Sequence, residues 1–412
     1  MTVSGHADGD TVERFRMLGM ICAGVVCSMT PWFSATAVLP ELRDLWDLSP
    51  GMSAVLTNGV QAGFVVGALG MSFINLADIV PPIRLMAIGA ALAGLFTLLV
   101  VALGSPGAAV VLRFLSGISL ALVYPPAMKL TTTWFVRGRG LAMGLVIGGL
   151  TLGSAMPHLV RSLTPAVDWR LVLVASAAIS LAGAATFVLT LREGPYPYGR
   201  ASLDLRQAGQ VFRSRPVALA NLGYFGHMWE LYAMWAWLLV YTQQMLPNIG
   251  VQSPGRIASL IVFIAIAAGV IGAIAGGVLA DRFGRTLTTA GMMVISGSCA
   301  LLVGLTFHGP LWLFLVIVVI WGASVIGDSA QFSAMVTEVA DKQLVGTALA
   351  MQMGIGFLVT IVSIQLLPLV ADAMGGWRWA FLALIPGPVI GTIGVLRLRR
   401  IPESMQIAHG RR

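Results

Sequence analysis

Two carboxylic acids, Glu230 and Asp328, and two cations, Arg113 and Lys129, lie well inside long apolar runs of a 412-residue chain that is 57% hydrophobic and only 10% charged. An ionisable group in hydrocarbon is costly, so it faces a bundle interior or a water-filled cavity and marks a path for protons, ions or substrate. A carboxyl withdrawn from water takes up a proton more readily than a solvated one, which suits it to proton loading and release near neutral pH. Glu230 is the first candidate for that role and Asp328 the second. His227, one turn before Glu230, would relay or tune its proton. Arg113 is the deep fixed cation, suited to pair with an anionic substrate, whereas Lys129 sits nearer a helix end, where its long stem lets the ammonium snorkel to the interface.

The elements that must position these groups are apolar helices. Twelve runs are long enough to cross a bilayer: residues 17–39, 52–74, 83–103, 107–132, 140–160, 170–191, 217–241, 257–280, 286–307, 311–336, 345–370 and 378–396, hereafter spans 1 to 12. The predicted fold is an all-α membrane protein of twelve transmembrane helices in two six-helix bundles. The expected divisions are an N-terminal tail (1–16), a first bundle (17–192), a polar and basic linker (193–216), a second bundle (217–400) and a C-terminal tail (401–412). Mean hydropathy of +0.88 excludes a water-soluble enzyme, a disordered chain or a nucleic-acid-binding module. Cys22, Cys27 and Cys299 all lie within apolar runs and offer neither a disulfide framework nor metal-ligand spacing, so no metal or cofactor is expected.

Charge sets the orientation. With both termini on one side, nineteen of the twenty-five Lys and Arg residues fall on that side, five on the other and Arg113 within a span. The positive-inside bias then makes both termini cytoplasmic, in a bacterial inner membrane. The basic excess serves insertion and anionic lipid headgroups, with no nucleic-acid partner. The halves echo one another at an offset of 208 residues: Trp169-Arg170 recurs as Trp377-Arg378, and Leu141-Ala142-Met143 as Leu349-Ala350-Met351. Repeated six-helix units that rock about a midplane site are a common build for secondary transporters.

At 100° per residue, Gly223, His227, Glu230, Met234, Trp237 and Tyr241 share a stripe on span 7. Span 10 carries Trp321, Ser324, Asp328, Gln331 and Met335 on one stripe, and span 4 carries Arg113, Gly117, Leu120 and Tyr124. With Trp32 beside Pro31 in span 1, these stripes nominate Arg113, Tyr124, Trp32, His227, Trp237 and Gln331 for substrate contact. Gly269, Gly272 and Gly276 on span 8 read as a close-packing seam.

Between spans 8 and 9 stands Gly277-Val278-Leu279-Ala280-Asp281-Arg282-Phe283-Gly284-Arg285. It resembles the loop signature of the major facilitator superfamily, G-x-L-A-D-R-x-G-R, at every fixed position. The first-half copy keeps Leu76, Ala77 and Asp78 and loses the Gly and the first Arg, and Arg113-Phe114-Leu115-Ser116-Gly117 is similar to the family's R-x-x-x-G element. The resemblance implies a cavity lined mainly by spans 1, 4, 7 and 10. It also implies a gate latch involving Asp78, Asp281, Arg282, Arg285 and Glu338. Asp281 is expected to take hydrogen bonds from the start of span 11 near Gly346, and Arg282 and Arg285 to pair with Glu338 or Asp341.

The stretch Trp134 to Gly144 is similar to bacterial anion and organic-acid porters of the nitrate, cyanate and monocarboxylate branch. Spans 2 and 8 lack the clamping arginines of nitrate porters, which argues against nitrate itself. The expected activity is proton-coupled secondary transport of a small organic or inorganic anion by a monomer, through alternating access. The alternative is a drug/proton antiporter for lipophilic cations, favoured by two buried acids and an aromatic span 7 but lacking the Gly-Pro pair those proteins carry in span 5. Nothing in the sequence offers the nucleophile, metal cluster or cofactor motif of an enzyme.

Overall fold

The computed structural model describes residues 4–136, 138–164, 168–197 and 208–412, with the side chains of 4–10, 77, 78, 208 and 212 left aside. Among the described residues the chain is helical with short connections. Span 1 runs Ser4–Met29, breaks at Thr30–Phe33 beside Pro31 and resumes as Ser34–Ala37. Spans 2 and 3 are Pro50–Phe73 and Pro82–Leu103. Span 4 is Pro106–Ala121 followed by Tyr124–Trp134, the break preceding Pro125-Pro126, and spans 5 and 6 are Arg139–Leu163 and Trp169–Thr190. In the second half, spans 7, 8 and 9 are Arg215–Met245, Pro254–Phe283 and Arg285–Leu302, the last extended by the 3₁₀ turn Val303–His308. Span 10 is Leu311–Gly327 and Ser329–Val339 with Asp328 at the joint, span 11 is Val345–Ala373, and span 12 joins the 3₁₀ turn Trp377–Leu384 to Pro386–Arg400.

Ten of these helices are long and apolar enough to cross a membrane by length and composition alone; spans 1 and 7 are the other two. The reason is physical. Span 7 is buried on nearly every face, so it meets protein rather than lipid, and it carries Asn221, His227, Glu230 and Thr242 among its buried residues. The helix of span 1 reaches back to Ser4, so residues 4–16, expected as a separate tail, continue the first helix. The C-terminal segment is likewise packed rather than free: Ile407 is fully buried, and Arg412 O accepts bonds from Thr286 Oγ1 at 2.9 Å and Arg399 Nη1 at 3.0 Å.

Spans 5 and 8 pack along one another across the halves, as do spans 2 and 11. Several hydrogen bonds crossing between the halves lie toward the face opposite the termini. Asn58 Nδ2 donates to Ile361 O at 3.1 Å, Gln365 Nε2 to Gly51 O at 3.3 Å and Arg256 Nε to Ser162 O at 3.0 Å. Arg161, fully buried, ties Glu41 of the helix Leu39–Trp46 to Gly255 O and Ser259 Oγ of span 8.

Within each half, backbone-to-backbone approach depends on glycine. A Cβ on Gly63 would lie 1.9 Å from Phe114 O, and one on Gly117 2.1 Å from Val60 O, so spans 2 and 4 meet without side chains between them. The second half repeats the device. Cβ atoms on Gly272 and Gly276 would lie 1.8 Å from Ala323 O and Gly327 O, which makes the span 8 seam a contact with span 10. Gly276→Val therefore forces these spans apart at a cost of about 3 kcal/mol and lowers the thermal unfolding midpoint of purified protein. Gly291→Ala, which meets nothing within 4 Å, leaves the midpoint in place; equal midpoints for the two variants would contradict the seam.

Candidate functional site

Glu230 is 1% exposed and has two donors. Trp321 Nε1 of span 10 donates to Oε1 at 2.7 Å, and Ser296 Oγ of span 9 donates to Oε2 at 2.8 Å. The serine has a second outlet, since its hydroxyl also lies 3.2 Å from Met293 O. A carboxylate accepts from both neighbours. A protonated Glu230 keeps the indole bond and donates its own O–H to Ser296, whose hydroxyl then turns to Met293 O. The site thus satisfies either charge state by rotating one hydroxyl, which is what a group that gains and loses a proton requires.

Asp328 stands at the joint of span 10, facing His227, which lies one turn before Glu230 on span 7. Its Oδ1 is 2.9 Å from His227 Nδ1, and His227 Nε2 is 3.1 Å from Ser329 Oγ. The break in span 10 places Asp328 and Ser329 on either side of the imidazole. The two acids therefore belong to one polar cluster between spans 7, 9 and 10, inside the second half.

Arg113 is elsewhere. It is fully buried in the first half, where its Nη1 donates to Pro31 O and Ser34 Oγ and its Nη2 to Trp32 O. The break in span 1 leaves Trp32 O to the guanidinium, while Pro31 O accepts from it together with Ser34 N at 3.3 Å and Ser34 Oγ at 2.9 Å. Among the described residues no carboxylate lies within 4 Å of Arg113. The expectation that Arg113 pairs with substrate or with one of the acids thus meets a different geometry: the ends of its side chain are engaged by backbone, because a broken helix in an apolar interior must have its carbonyls satisfied.

The halves meet over an aromatic cluster. Trp32 and Phe33 of span 1 and Phe64 of span 2 come from the first half, and Tyr232 and Trp235 of span 7 and Phe357 of span 11 from the second. Trp32 stacks on Tyr232 with centroids 5.8 Å apart, Phe33 meets Trp235 edge-on at 5.8 Å, and Phe64 lies 4.7 Å from Phe357. At roughly 100° per residue, Tyr232 and Trp235 stand about 140–200° round span 7 from Glu230. The face that looks at the partner half is therefore aromatic, and the acidic face looks into its own bundle. Tyr232, Trp235, Phe64, Phe357 and Ser296 were not singled out by the sequence, whereas Trp321 stood on the span 10 stripe; aromatic density at 229, 232, 235 and 237 on span 7 was the available signal.

The remaining nominated residues divide. Trp237 Nε1 donates to Ile364 O at 3.0 Å and its ring lies 5.2 Å from Trp377; it borders a cavity of about 320 Å³ that also meets Arg43, Ser53 and Asp372. Tyr124 is half-buried at the start of the second segment of span 4. Gln331 is drawn into the signature-loop cluster, its Oε1 accepting from Arg285 Nη1 at 3.0 Å, and so sits outside the aromatic interface.

In that cluster Arg285 Nε and Nη2 each lie 3.0 Å from a Glu338 oxygen, and Glu338 Oε2 also accepts from Ala408 N at 3.1 Å. Gly284 turns between spans 8 and 9 at φ +91°, and a Cβ there would lie 2.2 Å from Arg412 O. Arg282 lies over the Phe283 ring at 5.2 Å and forms no ion pair with Glu338 or Asp341. The expected contact of Asp281 with the start of span 11 is replaced: span 8 packs on span 5, span 11 on span 2, and Asp281 uses its backbone carbonyl to accept Arg411 Nη1 at 2.8 Å. The side chain of Asp78 lies outside the described residues. No group of three or more His, Cys, Asp or Glu residues suited to a metal occurs among the described residues.

Known proteins share this organisation. The probable sulfoacetate transporter SauU of Cupriavidus necator is 25% identical over 315 residues, 71% of this chain and 70% of its own length. The transporter hasB of Aspergillus fumigatus is 30% identical over half of this chain and 48% of its own length. Among solved structures, a bacterial homologue of the human lysosomal transporter Spinster, inward-facing and occupied, superposes with a TM-score of 0.72 at 17% identity, covering 94% of this chain and 97% of that one. The D-xylose-proton symporter gives 0.72 at 14% identity over 95% and 99%. These two likenesses speak to fold. The family model of the Major Facilitator Superfamily matches residues 21–364 and again 247–411, and on that match, with twelve spans in two bundles and a multi-pass membrane architecture, the chain belongs to the major facilitator superfamily of transporters.

Proposed function

We propose that this transporter couples movement of a small organic anion to movement of a proton, in a bacterial inner membrane with both termini cytoplasmic, as a monomer whose bundles divide at the linker 193–216. The observation that carries the proton part is Glu230, buried between Trp321 and Ser296 with a hydrogen-bond set that serves both charge states. His227, one turn before Glu230, and Asp328 facing it from span 10 form the second station. Span 7 links this cluster to the partner half, because its opposite face carries Tyr232 and Trp235 against span 1. A change of proton occupancy on one face repositions the aromatic face on the other, and that is the coupling.

Arg113 supports an anion over a lipophilic cation, since a buried positive charge with no carboxylate beside it repels a second one. The relative in Cupriavidus necator, named as a sulfoacetate transporter, points to the same class. The Arg285–Glu338 pair, with the C-terminal segment packed on it, acts as the latch on the termini side.

In proteoliposomes with sulfoacetate or propanoate as solute, Glu230→Gln abolishes uptake driven by a pH gradient and leaves solute exchange at equal pH running; pH-driven uptake at the wild-type rate would remove Glu230 from the mechanism. Ser296→Ala leaves the indole bond but gives the protonated acid no acceptor, and a lost hydrogen bond of about 1.4 kcal/mol slows pH-driven uptake about tenfold. A rate within twofold of wild type would show that the serine does not take part.

A further inference from the structure

The aromatic cluster between the halves contains buried donors that nothing satisfies. Trp32 and Trp235 are each 1% exposed, and the Nε1 of both is without a hydrogen-bond partner. Gln61, equally buried and one turn before Phe64 on span 2, leaves both its amide nitrogen and oxygen unpaired. Other buried or half-buried tryptophans of the second half are paired: Trp229, Trp237 and Trp321 donate to Ala383 O, Ile364 O and Glu230 Oε1. Buried polar groups are almost always paired, so a group of unpaired ones calls for a partner not yet named.

The chemistry of that partner is constrained. An indole N–H donates and cannot accept, so what meets it must bring lone pairs. Both indoles pack on Tyr232, at centroid distances of 5.8 and 5.6 Å, which sets them in one cage built from the two halves. The charge beside the cage is positive. Arg113 donates to the carbonyl of Trp32 itself and its Nε has no partner, and no carboxylate lies within 4 Å of it among the described residues. A buried cation without a counter-ion favours an anion entering its surroundings.

We propose that Trp32 Nε1 and Trp235 Nε1, with the Gln61 amide, receive the oxyanion of the transported solute, a carboxylate or sulfonate whose apolar part lies among Phe33, Phe64 and Phe357. Arg113 is a positioning residue here: it fixes the backbone of Trp32 and lends its charge without touching the ligand. This deepens the reading under Proposed function by naming the groups that select the anion. It also separates the tasks, with donors for the anion at the interface and proton acceptors inside the second bundle.

The test is isothermal titration of the purified full chain with propanoate, its neutral isostere propanamide, and propylammonium. Wild-type protein binds propanoate at least tenfold more tightly than propanamide and does not take propylammonium. Trp32→Phe and Trp235→Phe keep the rings and remove the N–H, and each weakens propanoate binding about tenfold, while Trp312→Phe, at an exposed position on span 10, leaves it unchanged. Arg113→Lys reduces the preference for propanoate over propanamide. Unchanged propanoate affinity in both Trp→Phe variants, or equal affinity for acid and amide in the wild type, would overturn the assignment. If a variant does not fold, the unmutated protein still decides: two indole N–H proton resonances move downfield with propanoate and stay with propanamide, and their staying with both would refute the proposal. The outcomes separate from those at Glu230. Loss of pH-driven uptake in Glu230→Gln with unaltered binding in the indole variants removes only the anion cage. Weakened binding in the indole variants with normal pH-driven uptake in Glu230→Gln removes only the proton carrier.

Discussion

In an apolar interior a polar group must find its partner inside the protein, and the arrangement of this transporter follows from how that requirement is met in some places and left open in others. The break in span 1 at Pro31 frees carbonyls that water cannot reach, and Arg113 answers them from span 4. That contact fixes Trp32 at the junction of the two halves. It also leaves a positive charge in the first half with no acid beside it, so one local repair of a broken helix sets both the geometry and the sign of the field at the interface.

The second half surrounds its acids without an arginine or a lysine. Glu230 is held by an indole and a hydroxyl, and Asp328 by an imidazole. The Ser296 hydroxyl can turn to Met293 O when the carboxyl changes charge, whereas an arginine would hold it ionised. The contrast explains why the cation and the acids do not pair: pairing would cancel the charge that favours an anion and would pin the carboxyl in one state. Span 7 stands between the two environments. One face carries the acid cluster and the opposite face carries the aromatic contacts to span 1, so a shift driven by one is felt by the other without any direct contact between Arg113 and Glu230.

Close glycine contacts give each half its rigidity. Spans 2 and 4, and again spans 8 and 10, meet backbone to backbone, so a displacement at the cluster moves a bundle as a unit. Across the halves the contacts include aromatic packing and side-chain hydrogen bonds such as those of Asn58, Gln365 and Arg161, and these bonds can break and reform as the halves rock. The loop signature stays within the second half, with Arg285 of span 9 on Glu338 of span 10 and the C-terminal segment packed against Glu338.

Much of this was legible from the amino-acid order. Runs of apolar residues located the twelve spans, the repeat divided them six and six, the signature loop indicated the family, and the scarcity of charge directed attention to Arg113, Glu230 and Asp328. Periodicity also placed His227 with Glu230 correctly on one stripe of span 7. It could not say what that stripe faces. A helix with acids on one side and aromatics on the other can be turned either way, and only packing against spans 9 and 10 set the acids inward and Tyr232 and Trp235 toward span 1. In the same way nothing local foretold that Arg113 serves the carbonyls of a break 82 positions away, or that Gln331 answers Arg285. Residue type and spacing determine which groups share a face; the neighbour that completes each hydrogen bond comes from a distant part of the chain, and tertiary packing alone decides it.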